Sequence, residues 1–481
     1  MRKNRQMFRI LGMLLLVESV LVLMSAGVSC LYAEPDMWRL GVSALITFSV
    51  GFPLFFFNRD MDGKMDKQRS FVLIVLSWLL VVAFGALPFL LTGALPRIED
   101  AFFEAMSGFT TTGSSVIADV ESLSHGILFW RSLTQWVGGF SVIVVTVALM
   151  PLLGMRELAF LAVESHESSS VKLLPRIVES LNWLWGVYFL FTVVEAVSYY
   201  FAGMGVFDAV CHAFSTISTG GFSTKNESIA HWHSSTIEMV VLLFMFFSGI
   251  NFSLLFYVLR GRVGKLFRNE EFRYYVVFIL VFSMLLSAGL MIVDGTSFLS
   301  SVRFSVFHVV SVMTTSGFLT QDYMMWPSSL WVLLYLLMLV GASAGSASGG
   351  VKIVRAALLL KCSRNEFYLF MHPNAILPVR FNGRLVPLSV LNNVFVFILL
   401  YIMMLVLGTF LLTCIDLPLE DSFGYVLSAI GNVGYNAGMD AANPIAQLPV
   451  LAKGILSFYM LMGRIDLYIL FFFFSRGFWR K

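Results

Sequence analysis

Four short segments carry the residues with a chemistry to offer, and they align without gaps on one glycine. They read DAFFEAMSGFTTTGSS from Asp100, DAVCHAFSTISTGGFS from Asp208, FSVFHVVSVMTTSGFL from Phe304 and DSFGYVLSAIGNVGYN from Asp421. The aligned glycines are Gly113, Gly221, Gly317 and Gly434. Six residues before each stands a serine: Ser107, Ser215, Ser311 and Ser428. Thirteen before each stands an aspartate, except in the third segment, which has Phe304. Glycine reaches backbone angles closed to other residues, so it lets successive carbonyls turn toward one axis. Rings of such carbonyls replace the water shell of a dehydrated cation. Thr111, Thr219 and Thr315 would add hydroxyl oxygens at the inner end, with Asn432 as the fourth counterpart.

Such oxygens need elements to hold them. Asp100, Asp208 and Asp421 are good helix N-caps and are expected to start short helices at the outer surface. About ten helical residues at roughly 1.5 Å each reach halfway into a bilayer. Each helix would then end inside the membrane with its negative dipole end facing the ion. One Gly/Ser/Thr-rich apolar segment alone would equally serve as a close helix-packing face. Four in register, each set between two long apolar segments, point to internal duplication around one ion path.

The rest of the chain fits that setting. It has 481 residues, of which 58% are hydrophobic and 13% charged, where a soluble chain carries roughly a quarter charged. Two apolar segments open it, near 10–33 and 37–57. The first follows a basic N-terminus but is too long for a signal-peptide core, so it is expected to be a retained helix. Long segments then flank the four short ones, near 71–91 and 127–153, 180–202 and 236–259, 274–293 and 329–360, and 390–412 and 451–475. The last two second segments carry polar or glycine-rich interruptions, which are tolerated only where backbone lines a cavity or is buried in protein. The net charge of +3 suggests no nucleic-acid partner, and Cys30, Cys211, Cys362 and Cys414 form no metal or disulfide pattern. No Walker A loop or Rossmann fingerprint is present.

Loop charge orients the chain. Loops 1–9, 59–70, 154–179, 260–273, 352–385 and 475–481 hold 25 of the 32 Lys and Arg. The opposite loops hold only Arg97, Lys225 and Arg303. Both termini are therefore expected in the cytoplasm. This works only if each short segment enters and leaves from the outer side, giving ten spanning helices and four re-entrant ones. The expected fold class is an all-α polytopic membrane protein. Its expected divisions are two N-terminal helices (1–70) and repeats at 71–179, 180–273, 274–385 and 386–481.

SGFTTTG, STGGFST, TTSGF and NVGY, after two extra N-terminal helices, resemble the Trk/Ktr/HKT superfamily of potassium transporters, and within it the Trk-type membrane subunits. GSASGGVK at 345–352 and MGRID at 462–466 extend the resemblance over essentially the whole chain. The resemblance implies four M1–P–M2 repeats around one K⁺ pore, and homodimers in the bacterial inner membrane. It implies backbone ligands at Thr111, Thr112 and Gly113; Thr219, Gly220 and Gly221; Thr315, Ser316 and Gly317; and Asn432, Val433 and Gly434. Gly113 stands where plant relatives that pass Na⁺ carry serine. The glycine-rich stretch 341–350, with Gly345, Ser346, Gly349, Gly350 and then Lys352, would form an intramembrane loop that blocks the pore when closed. Arg464, midway along the last apolar segment, would be an electrostatic barrier below the filter, with Asp466 close by. The gate would thus come from two repeats alone, the third and the fourth. A cytosolic nucleotide-binding ring of the TrkA type would be the regulatory partner, docking on 154–179, 260–273 and 352–385.

Other polar residues read as structural. Glu18 and Glu195 are expected to be paired, His212 and His308 to be satisfied within their helices, and Arg131 to anchor a helix near the outer face. Gated K⁺ conduction is the leading function. Coupled symport with H⁺ or Na⁺ remains the alternative, although the filter segments contain no carboxylate. No nucleophile–base motif supports an enzyme.

Overall fold

The computed structural model describes residues 2–58, 67–144, 173–434, 445–465, 467–468 and 471. Among them the chain is built of helices, with one hairpin pairing Arg380–Phe381 with Arg384–Leu385. Helices satisfy their backbone hydrogen bonds within one segment, as a lipid solvent demands.

Helices α1 (Arg2–Leu31) and α2 (Met37–Phe56) form a tight opening hairpin. Gly12 and Gly51 face each other's helix there, leaving no room for a side chain, the small-residue contact typical of membrane helices. Four groups follow. The first holds α3 (Lys67–Gly85), α4 (Leu87–Thr92), α5 (Ile98–Phe109) and α6 (His125–Val144). The second holds α7 (Leu173–Ala202), α8 (Val206–Ile217), α9 (Ser235–Ser248) and α10 (Phe252–Leu259), with the short α11 (Val263–Arg268) after it. The third holds α12 (Glu270–Val293), α13 (Phe298–Met313), α14 (Ser328–Val340) and α15 (Ile353–Met371). The fourth holds α16 (Leu388–Thr413), α17 (Leu419–Gly431) and α18 (Val450–Ile465).

Among the described residues six helices are long and apolar enough to cross a membrane: α1, α2, the α3–α4 run, α7, α12 and α16. The pair α9 and α10, bent by 106° at its break, is long and apolar enough only when its two helices are taken together. Exposed apolar side chains crowd the first helices of the groups, among them Val194, Val197, Met284, Leu285, Ile402 and Met403. That is the surface lipid requires. The short helices α5, α8, α13 and α17 are instead mostly buried.

Two expectations need correction. Asp100, Asp208 and Asp421 are not N-caps. The cap positions are Arg97, Gly205 and Pro418, and each aspartate is the third residue of its helix. The carboxylates still sit in the first turn, at the positive end of the dipole. In the third group the helix starts earlier, after Ser297, whose hydroxyl accepts from Ser300 N. Phe304 is therefore a mid-helix position where an acidic residue has no such role. The second correction concerns 236–259, which reads as one apolar segment but breaks at Gly249–Asn251. There the Asn251 side chain accepts from Ser253 N at 2.8 Å and starts α10. The interruption expected near 341–350 is present: α14 stops before Gly341 and the helix resumes at Ile353.

Candidate ion-binding site

The four short helices end in the same way. The residue two before each aligned glycine is left-handed: Thr111 (φ 53°), Thr219 (56°), Thr315 (58°) and Asn432 (53°). The next residue sends its N–H back to the aligned serine's carbonyl: Thr112 to Ser107 at 2.9 Å, Gly220 to Ser215 at 2.8 Å, Ser316 to Ser311 at 2.9 Å and Val433 to Ser428 at 3.0 Å. The left-handed residue's own N–H bonds the carbonyl three residues before it (Gly108, Thr216, Val312 and Ala429), so this is a Schellman termination repeated four times. Glycine or asparagine normally stands at the left-handed position. For a β-branched threonine it is a strained conformation, with a cost of about 1–3 kcal/mol. The same strain at three of four equivalent places marks a backbone fixed by its surroundings. The aligned serine acts through its backbone carbonyl at each site.

The aligned glycines are left-handed as well: Gly113 (φ 86°), Gly221 (78°), Gly317 (72°) and Gly434 (67°). Their surroundings close a ring. A Cβ on Gly113 would strike the Gly220 carbonyl oxygen, one on Gly221 that of Ser316, one on Gly317 that of Val433, and one on Gly434 that of Thr112. Each segment therefore abuts the next in the order one, two, three, four, one. The twelve residues named from the resemblance are brought together in that ring.

Side chains break the symmetry. Among the described residues the buried Thr111 hydroxyl has no hydrogen-bond partner, Thr219 donates to the Ser218 carbonyl at 2.7 Å, and Thr315 accepts from Gly349 N at 2.9 Å. Asn432 donates to the Thr112 hydroxyl and to the Met460 carbonyl, both at 2.9 Å.

Beneath the ring lies the stretch between α14 and α15. Its N–H groups and carbonyls are held from several sides: Ser343 N by the Gly249 carbonyl at 3.1 Å, Ala344 N by a Glu271 carboxylate oxygen at 2.5 Å, and the Gly345 carbonyl by Phe252 N at 3.2 Å. Gly349 packs so close to the Gly431 carbonyl, at the end of α17, that a side chain would not fit. Gly345 and Gly350 are left-handed. Ser346 bonds internally to the Ser343 carbonyl at 2.6 Å and the Ser348 hydroxyl at 2.8 Å. Lys352 donates to the Ser348 carbonyl. Arg464 donates to the Ala347 carbonyl at 2.7 Å and the Gly138 carbonyl at 3.2 Å. The loop is thus held by the second group as well, which corrects the expectation of two contributing repeats. Asp466 lies outside the described residues.

Several residues here went unnoticed in the sequence. Glu104, fully buried, accepts from Arg131 Nε at 2.9 Å, from Ser115 Oγ at 3.0 and 3.1 Å, and from Val116 N at 3.0 Å. Arg131 also reaches the Ser223 carbonyl at 3.2 Å and lies over the Phe222 ring. It braces the residues that follow the aligned glycines of two segments and is not a simple outer anchor. Gln135 and Glu271 were missed because a lone polar residue in an apolar run has no spacing signature. Lys453 joins Asp100 at 2.6 Å. Glu195 accepts from Tyr199 at 2.7 Å, whereas among the described residues neither carboxylate oxygen of the buried Glu18 has a hydrogen-bond partner, so the expected pairing is not found there. His212 bonds the Asp208 carbonyl at 2.8 Å and Ser223 Oγ at 3.0 Å; His308 lies against Trp326 and Thr320.

The sequence model of the TrkH family, described as a cation transport protein, matches residues 42–479. The chain is 35% identical over 483 residues to the Trk system potassium uptake protein TrkH of Escherichia coli strain K12, with 99% of each chain covered. It is 32% identical over 473 residues to the Trk system potassium uptake protein TrkG of the same strain, with 98% of this chain and 97% of the relative covered. In fold it matches the crystal structure of the potassium transporter TrkH from Vibrio parahaemolyticus, with a TM-score of 0.91 at 31% identity over 99% and 100% of the two chains.

Proposed function

The chain belongs to the TrkH family of cation transport proteins, and on that premise we propose that it carries K⁺ into the bacterial cell across the inner membrane through one gated pore. The observation that carries this reading is the closed ring of left-handed glycines, each abutting a carbonyl of the next segment. The proposed ligands are backbone oxygens of Thr111, Thr112 and Gly113; Thr219, Gly220 and Gly221; Thr315, Ser316 and Gly317; and Asn432, Val433 and Gly434. The negative ends of four helix dipoles add to the attraction for a cation.

The gate is the loop holding Gly345, Ser346, Gly349, Gly350 and Lys352, locked by Arg464. Ten spans with both termini cytoplasmic, the four repeats at 71–179, 180–273, 274–385 and 386–481, a homodimer, and a nucleotide-binding ring of the TrkA type as regulator belong to the same reading. What supports the topology is the concentration of Lys and Arg in one set of loops. Conduction is favoured over H⁺- or Na⁺-coupled symport because the four filter segments between the left-handed residues and the glycines contain no carboxylate.

Two measurements test it. Expression in a K⁺-uptake-deficient bacterium, with the cognate ring protein present, restores growth at low K⁺; failure removes K⁺ uptake. In liposomes the purified protein passes K⁺ along its voltage gradient; flux that demands a pH or Na⁺ gradient selects symport.

A further inference from the structure

Three of the four segments carry a side chain immediately before the aligned glycine: Thr112, Ser316 and Val433. The second carries Gly220, although its backbone is not in the left-handed region and so does not require glycine. What occupies the space is Gln135, fully buried on α6 of the first group. A Cβ on Gly220 would fall on the Gln135 amide. That amide accepts from Phe222 N at 3.1 Å and donates to the Gly220 carbonyl at 2.7 Å. Among the described residues no other side chain donates to a carbonyl at this position of the ring.

We propose that Gln135 is a specificity-determining positioning residue of the ion path. It is a side chain lent by the first repeat to the second, replacing the one that Gly220 lacks. Its acceptor oxygen pins Phe222 and its N–H fixes the angle of the Gly220 carbonyl, which then has less electron density to give to an ion. Selectivity among monovalent cations depends on the number and field strength of the surrounding carbonyls. The Gly220 oxygen is therefore the weakest and least mobile ligand of its layer, and Gln135 sets the discrimination. This rests on the filter reading above.

The experiment measures K⁺/Na⁺ permeability ratios in liposomes for Gln135→Met, which keeps length but not hydrogen bonding, and Gln135→Glu, which keeps an acceptor for Phe222 but no N–H for Gly220. Both are expected to lower the ratio about five-fold, the scale of one neutral hydrogen bond. Gly220→Ser alone collides with Gln135 and impairs flux. Gly220→Ser combined with Gln135→Ala removes the collision and recovers flux over Gly220→Ser alone, but with no N–H left for the carbonyl at 220 it keeps the lowered ratio of Gln135→Met. Should Gln135→Met fail to fold, the double variant decides, and a wild-type ratio in it overturns the proposal. Unchanged ratios in Met and Glu variants, with a changed ratio in Gly113→Ser, also overturn it while the filter stands. No change in Gly113→Ser either would remove the filter itself.

Discussion

Arg464 donates to the carbonyl of Ala347 at 2.7 Å, across 117 residues of sequence. The same guanidinium reaches the Gly138 carbonyl at 3.2 Å. One buried cation therefore ties the last described helix to the interrupted stretch of the third group and to α6 of the first. A hydrogen bond to a charged group contributes about 1.5–3 kcal/mol. Arg464→Ala is expected to release the loop and raise K⁺ flux in liposomes lacking the ring partner, by roughly ten- to a hundred-fold on that scale. Flux at the wild-type level would show that the arginine does not hold the pore shut.

Glu271 holds the other end of the loop through Ala344 N. Glu271→Ala leaves a buried N–H without its acceptor, a loss of about 1–3 kcal/mol in the closed form. Partner-free flux should rise about ten-fold by the same estimate. Glu271→Gln keeps an acceptor oxygen and should stay near wild type. Equal behaviour of the two variants would count against this contact as a latch.

Gly113→Ser meets two obstacles at once. The position has φ 86°, which costs a non-glycine residue about 1 kcal/mol or more, and its Cβ would strike the Gly220 carbonyl. The variant is expected to lose growth rescue at low K⁺ and to lower the K⁺/Na⁺ preference. An intact preference would mean that Gly113 is not in the ion path.

At the outer edge, Glu34 accepts from His125 N at 2.9 Å and the His125 ring at 2.7 Å, and so caps α6. Burial pushes the Glu34 carboxyl up, but these bonds and one from Gly126 N outweigh it and leave it below its ordinary value of 4.5. A lowered folded value means that the carboxylate's stabilisation is fully present above 4.5 and is lost as pH falls through the folded value. Wild type should therefore melt higher than Glu34→Gln at neutral pH, with the gap closing below pH 4.5. A gap that persists at acid pH would assign the effect to packing.

The glycine register was legible because chirality makes it so: a left-handed backbone against a neighbouring carbonyl excludes every side chain, and the chain records that four times. The long apolar segments were legible because lipid demands their length. The break at Gly249–Asn251 was not, since a single asparagine in an apolar run is compatible with a continuous helix until another segment docks on it. The aspartates misled in register only. Each helix starts two residues before its aspartate, so Asp100, Asp208 and Asp421 sit in the first turn, inside the helix, rather than capping it.

By itself the sequence determined which aligned glycines free the backbone, which segments are long and apolar enough for lipid and which loops carry positive charge. These are properties of single residues and of short runs. The tertiary structure alone decided that Gly434 meets Thr112, that Gln135 stands in for a side chain missing at Gly220, and that one loop is held by Gly249, Glu271, Thr315 and Arg464. Such contacts join residues far apart in the chain. A buried donor takes whichever acceptor the closed ring brings within reach, and that choice exists only once the four segments have met.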